Sequence, residues 1–339
     1  MITEQQKLTP EDFSNGVKGK WCAGCGDFGI HNSLKKALAE LGIQPSDTAI
    51  ISGIGCSSRM AYHLKGYCFH TIHGRPIAVA SGCKIANPDL NVWVVCGDGD
   101  SMAIGGNHFI HALRRNVNLN IVLLNNRIYG LTKGQYSPTS ARGFVSKSSP
   151  YGTVEDPFRP AELIIGASGN FFARCVATDG PASVEVLTAA SKHKGAAVVE
   201  VLQNCITFNN DIFGSIYTKE GREEKALYLE HGKPMLFGKN KEFGIVQDGF
   251  NLKVVEVGKD GYTLDDVLVH DAHCQDRTLH NKLAAMEGPD FPTALGVIRD
   301  VDAPTYDDSV VEQINEISAK KPYHNFDELT GLLDSWEIK

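Results

Sequence analysis

Two polar clusters and a set of cysteines are the residues in this sequence best suited to chemistry. The first cluster, "GDGD" at residues 97–100, follows the apolar run "NVWVVC"; the second, "NNRIYG" at 125–130, follows "NIVLL". Asp98 offers a carboxylate, Asn126 a side-chain carbonyl, and Ile128, two residues on, a backbone carbonyl that can turn the same way. Three oxygen donors, completed by phosphate oxygens and a water, make the octahedral shell that Mg²⁺ prefers. Gly97 and Gly99 let the backbone approach closely, and the amides opening the following helix can cradle a diphosphate. Alone, GDG reads best as a turn and NN as a strand end. Set 28 positions apart, with one helix and one strand between them, the pair is far more specific. The usual nucleotide loops fit poorly: no G-x-G-x-x-G opens a helix, and no G-x-x-x-x-G-K-[ST] occurs.

Nine cysteines are many for a sequence without a signal-peptide pattern, because a reducing compartment disfavours structural disulfides. "WCAGCGDFG" presents Cys22 and Cys25 as a C-x-x-C whose sulfurs can reach one metal centre. By itself it suits a zinc half-site, a thiol–disulfide pair or half of an iron–sulfur site. It follows a polar arm rather than a strand, and no second C-x-x-C completes a zinc ribbon. Cys56 in "GIGCSSR" and Cys205 in "VLQNCITFNN" close two strand-like runs. If the sheet is parallel, strand carboxyl ends converge on one edge, and both thiols lie on the side of the polar clusters. Four soft ligands then suit a [4Fe–4S] cluster. Cys96 and Cys175 sit in apolar runs and read as core residues, while Cys68, Cys83 and Cys274 show no ligand spacing. Most of the histidines suit structural roles equally well.

The elements that must position these groups follow from periodicity. "GIHNSLKKALAELGI" places Ile30, Leu34, Ala37, Leu38 and Leu41 three and four apart, an amphipathic helix. Strand-like "TAIIS", "NVWVVC", "NIVLLN", "FFARCVAT" and "AAVVEVL" alternate with helical stretches such as "PASVEVLTAASKHK". Near-continuous β-branched runs between helices argue for an α/β fold, a parallel sheet sandwiched by helices. In such open sheets ligands sit outside the carboxyl ends of the strands, where both clusters fall. The expected organisation is an N-terminal arm (1–19), the cofactor-binding domain (20–208) and a C-terminal extension (209–339) packed on the core or on a partner. In the extension only "DSVVEQINEISAK" regains helical period, through Val310, Val311, Ile314 and Ile317.

Apolar content of 42% suits a sizeable core, and the net charge of -7 with scattered basic residues excludes a nucleic-acid binder's footprint. No signal peptide is read, and no window reaches the roughly 18 apolar residues of a membrane span. The expectation is a soluble cytoplasmic protein.

"GDGDSMAIGG…LLNNRIYGLTKGQ" resembles the thiamine diphosphate motif, GDG followed later by NN. With W-C-x-G-C-G, G-I-G-C-S, "TIHGR" at 71–75 and a late lone cysteine, residues 15 to 300 resemble the β subunit of the 2-oxoacid:ferredoxin oxidoreductases, most of all the 2-oxoglutarate branch. The resemblance implies Asp98, Asn126 and the Ile128 carbonyl as Mg²⁺ ligands. It places the backbone at Gly99, Asp100, Gly130 and Leu131 near the diphosphate. One [4Fe–4S] cluster is implied on Cys22, Cys25, Cys56 and Cys205, with Ile54, Gly55, Cys56 and Ser57 touching the thiamine cofactor. His73 is expected to face the cofactor's reactive end.

The implied reaction joins 2-oxoglutarate, coenzyme A and oxidised ferredoxin to succinyl-CoA, carbon dioxide and reduced ferredoxin, in either direction. For the second carboxylate of 2-oxoglutarate, Arg59 and Lys133 are the basic groups near the right loops. Each equally suits a surface charge or a diphosphate contact, so pyruvate or a branched 2-oxoacid stays open, as does a non-catalytic metal or cluster module. The resemblance also implies a partner α subunit, in an (αβ)₂ assembly, that supplies the activating glutamate and the coenzyme A site.

Overall fold

Strands that are apolar on both faces must lie inside a sheet covered on both sides, and this dictates the architecture. The structure, a computed structural model, describes residues 7–286, 288–334, 336 and 338. Eight strands form the main sheet: β1 (Thr48–Ser52), β2 (Tyr67–His70), β3 (Asn91–Gly97), β4 (Leu119–Asn125), β5 (Phe171–Val176), β6 (Ala196–Leu202), β7 (Ala226–Leu229) and, after a small antiparallel sheet of β8 (Leu236–Phe237), β9 (Phe243–Asp248) and β10 (Asn251–Glu256), β11 (Thr293–Asp300). The order is β2-β1-β3-β4-β6-β5-β11-β7. Every position of β4, β5 and β6 is buried.

Alternate residues of each strand serve opposite layers. Val92, Val94 and Cys96 of β3 pack with α2 (Pro76–Ala86), α4 (Gly106–Arg115) and α5 (Pro160–Gly166) through Ile77, Phe109 and Ile164. Trp93 and Val95 face the other way, onto α1 (Asp27–Leu41) and α6 (Gly180–Lys192) through Leu34, Leu38 and Leu187. Cys96 and Cys175 are fully buried in these layers.

β1 to β6 run parallel, but β11 lies antiparallel to β5, so the sheet is mostly rather than wholly parallel. β7 and β11 belong to the stretch read as an extension after residue 208. They complete the main sheet with Leu227, Ala294 and Ile298 in its core, so residue 208 is no structural boundary. Charged, irregular sequence around these strands hides them from period-2 reading. Beyond β11, α9 (Tyr306–Ala319) forms as its period requires, yet Val311, Ile314 and Ile317 are all exposed. Among the described residues, no helix is long and apolar enough to cross a membrane.

A candidate cofactor site at the carboxyl edge of the sheet

β1, β3, β4 and β6 all end on one edge, and the loops leaving them enclose a cavity of about 260 Å³. Residues 54–57 after β1, residues 98–100 after β3, and Asn126, Ile128, Gly130 and Leu131 after β4 all line it, together with His73. The whole set that the motifs single out for the thiamine cofactor is therefore gathered in one place. Asp98 is buried to 2% exposure, and burial raises its carboxyl above the ordinary carboxylate range. A buried carboxyl that lines one cavity with an amide side chain and the Ile128 backbone offers donors for a hard cation, which would hold Asp98 ionised. These residues fit Mg²⁺.

Asp100 does something the motif does not announce. Its Oδ1 accepts from the Gly74 amide at 2.8 Å and the Ile54 amide at 3.2 Å, and lies 2.6 Å from His73 Nδ1. One carboxylate thus staples the GIGC loop and the TIHGR loop to the GDGD turn. A methyl group at Gly53 would overlap that carboxylate, so the strand end must be glycine. His73, with its Nδ1 held on Asp100, is left with Nε2 to meet a ligand.

The four cysteines assemble around the loop after β6. Cys56 and Cys205 flank Gly130: a Cβ there would stand 3.3 Å from Cys205 Sγ and 4.0 Å from Cys56 Sγ. Two residues before Cys205, Gln203 Nε2 reaches Cys25 Sγ at 3.7 Å; two residues after it, Thr207 Oγ1 reaches Cys22 Sγ at 3.6 Å. Among the described residues, no three His, Cys, Asp or Glu side chains are placed to hold a single metal ion. Thiolates of a four-iron cluster each bind a different iron and so stand further apart than ligands of one ion. Burial, then the nearby Asp27, pushes the Cys56 thiol up to about 11, and the same two causes raise Cys25. A cationic centre would draw both back to thiolate. The four thiols fit a cluster.

Several neighbours were not legible as site residues. Asp27 and Gln203 line the cavity and contact each other at 3.3 Å, and burial raises the Asp27 carboxyl to about 6. In sequence Asp27 looks like an ordinary helix-opening acid. Trp21 donates its indole N–H to the Cys56 carbonyl at 2.7 Å and packs edge-on against Phe28, tying the N-terminal arm over the cysteines.

Two expected substrate residues are elsewhere. Arg59 Nη1 donates to the Lys20 carbonyl at 2.6 Å, and neither Arg59 nor the exposed Lys133 lines the cavity. Arg59 thereby clasps the segment just after the arm. Lys133 sits at positive φ in a tight turn that directs it outward.

Fold and site together define a thiamine diphosphate-dependent enzyme, and residues 53–201 match the family model of the thiamine pyrophosphate enzyme C-terminal TPP-binding domain. A 2-oxoglutarate oxidoreductase subunit, KorB, of Mycobacterium tuberculosis is 46% identical over 313 residues, 92% of this chain and 83% of that one. The β subunit of 2-oxoacid:ferredoxin oxidoreductase 2 of Aeropyrum pernix is 42% identical over 73% of this chain and 79% of its own. A solved 2-oxoglutarate:ferredoxin oxidoreductase from Magnetococcus marinus, with 2-oxoglutarate, coenzyme A and succinyl-CoA bound, superposes with a TM-score of 0.78 at 32% identity, covering 98% of both chains. The chain belongs to the β-subunit family of the 2-oxoacid:ferredoxin oxidoreductases.

Proposed function

We propose that this chain is the β subunit of a 2-oxoglutarate:ferredoxin oxidoreductase, working with a partner α subunit in an (αβ)₂ complex of the cytoplasm. The observation that carries the reading is Gly130: it lines the cavity together with Cys56, and a Cβ added to it would stand 3.3 Å from Cys205 Sγ and 4.0 Å from Cys56 Sγ. A thiamine site and an iron–sulfur site would then share a wall one residue thick. The names of the relatives support 2-oxoglutarate as the substrate and ferredoxin as the electron partner.

When bound, thiamine diphosphate supplies the electron sink for decarboxylating a 2-oxoacid, and a [4Fe–4S] cluster supplies a one-electron exit. The protein's part is positioning. Asp98, Asn126 and the Ile128 carbonyl would hold Mg²⁺ and through it the diphosphate. Asp100 fixes the three loops around the cavity and presents His73, whose Nε2 can hold or release a proton at the cavity wall. Cys22, Cys25, Cys56 and Cys205 would hold the cluster, with Trp21 packed over its loop. Among the residues lining the cavity there is no arginine or lysine. The α subunit would supply the glutamate that activates the cofactor and the coenzyme A site.

The test is an anaerobic assay of the αβ complex with a panel of 2-oxoacids, coenzyme A and a viologen acceptor. The expected outcome is brown protein carrying about four irons per chain, with 2-oxoglutarate preferred. Colourless, iron-free protein, or indifference to 2-oxoglutarate, would refute the proposal.

A further inference from the structure

The sequence between β4 and β5 carries "SPTS" at residues 137–140, a stretch the motifs leave without a role. After β4 the chain turns at Tyr129–Gln135 and comes back over the strand end, burying Ser137, Thr139 and Ser140. Thr139 Oγ1 stands 2.6 Å from Asp98 Oδ2 and 3.0 Å from Asn125 Oδ1. A hydroxyl has one hydrogen to give, so only one of these oxygens receives it. Asn125 is oriented from behind: its Nδ2 donates to Glu200 Oε1 at 2.8 Å, and Glu200 Oε2 accepts from Arg174 Nε at 2.8 Å. Asn125 Oδ1 is thereby turned toward the loop, where the Arg127 amide donates to it at 3.3 Å. The Thr139 hydrogen goes to the Asp98 carboxylate, the nearer and stronger acceptor. Ser137 Oγ stands 3.2 Å from the threonine oxygen, with either hydroxyl able to donate, and Ser137 also hydrogen-bonds the Asp98 carboxyl beside Thr139.

One oxygen of Asp98 is therefore taken, and the carboxylate cannot rotate without losing that bond. We propose that Thr139 is a positioning residue: its hydroxyl fixes the rotation of Asp98 so that the remaining carboxylate oxygen meets the metal. Asn125, oriented by Glu200 and Arg174, packs its Oδ1 against the same hydroxyl without taking its hydrogen. The proposal rests on the assignment of Asp98 to Mg²⁺ and adds the part that aims it. Outer partners of metal ligands set affinity by fixing ligand orientation, and their loss costs 10- to 100-fold.

The experiment is a Mg²⁺ titration of the full chain in complex with its α subunit at saturating thiamine diphosphate, read as cofactor retained after gel filtration. Thr139→Val should weaken the apparent Mg²⁺ affinity by about 10- to 100-fold, and Thr139→Ser should stay within a few-fold of the wild type. The serine variant restores the hydroxyl, so a structural loss of the threonine methyl would not follow this pattern. Should Thr139→Val not fold, Thr139→Ala removes the same hydroxyl and carries the same expectation. Wild-type Mg²⁺ affinity in the hydroxyl-free variant, or a serine variant as weak as it, would overturn the proposal while leaving the cofactor site standing. A wild-type complex that retains thiamine diphosphate without regard to Mg²⁺ would overturn both.

Discussion

The gathering of Asp98, Asn126 and Ile128 at one cavity was readable because residue type and spacing single them out, and a strand–helix–strand unit brings them back to one edge. Asp100 was readable only as a backbone position. Its carboxylate acts by accepting two distant amides, and nothing in the local sequence says which amides those are. The direction of Arg59 was hidden for the same reason in reverse, since a lone arginine carries no direction and here meets the Lys20 carbonyl. Buried histidines add a pH dependence that is equally hidden. His270 is 1% exposed with a ring nitrogen on the Val297 carbonyl, and burial, helped by the neighbouring His280, pushes its pKa down to about 4. Between pH ~6.5 and ~4 the unfolded chain binds a proton there that the folded chain refuses, so stability falls as the pH drops through that window. At pH 5 the loss from this group is roughly 2 kcal/mol, and His270→Gln should flatten that part of the profile in urea unfolding at pH 7 and pH 5. An unchanged pH slope in the variant would contradict the assignment.

At the scale of elements, β1, β3, β4, β5 and β6 were legible because each is a continuous apolar run. The edge strand β2, with its half-exposed "YCFH", was not, nor were β7 and β11, which join the main sheet from irregular sequence far from β5. The charges inside β5 and β6 show the limit well. "FFARCV" and "AAVVEVL" each carry one charge in an apolar run, and only the register, Arg174 opposite Glu200, reveals that they pair. With 9% and 2% side-chain exposure, neither can turn to water. Arg174→Met should destabilise the chain by about 3–5 kcal/mol in denaturant unfolding by stranding the Glu200 charge. A loss under about 1 kcal/mol would show that the pair is not held dry. The exposed apolar stripe of α9 is the counterexample to period reading: the period foretold the helix but not that its apolar face would be left open.

The whole molecule is a platform that uses one edge of one sheet. β1 delivers Cys56, β3 delivers Asp98, β4 delivers Asn126 and Gly130, and β6 delivers Cys205, so the two expected centres are neighbours by topology rather than by contact chosen residue by residue. β7 and β11 close the far side of that sheet, away from the site, which is why their sequence can be irregular without disturbing the chemistry. On the proposed function, electrons released from a 2-oxoacid in the cavity would pass to a cluster held by the four cysteines, with Gly130 between the two sites. The most direct measurement is the visible absorption of the anaerobic αβ complex on addition of 2-oxoglutarate, with no external acceptor present. The expected result is bleaching of the cluster in the wild type, and none in Asp98→Asn with its iron still in place. Absorption that stays unchanged in the wild type, or that bleaches equally in Asp98→Asn, would contradict it.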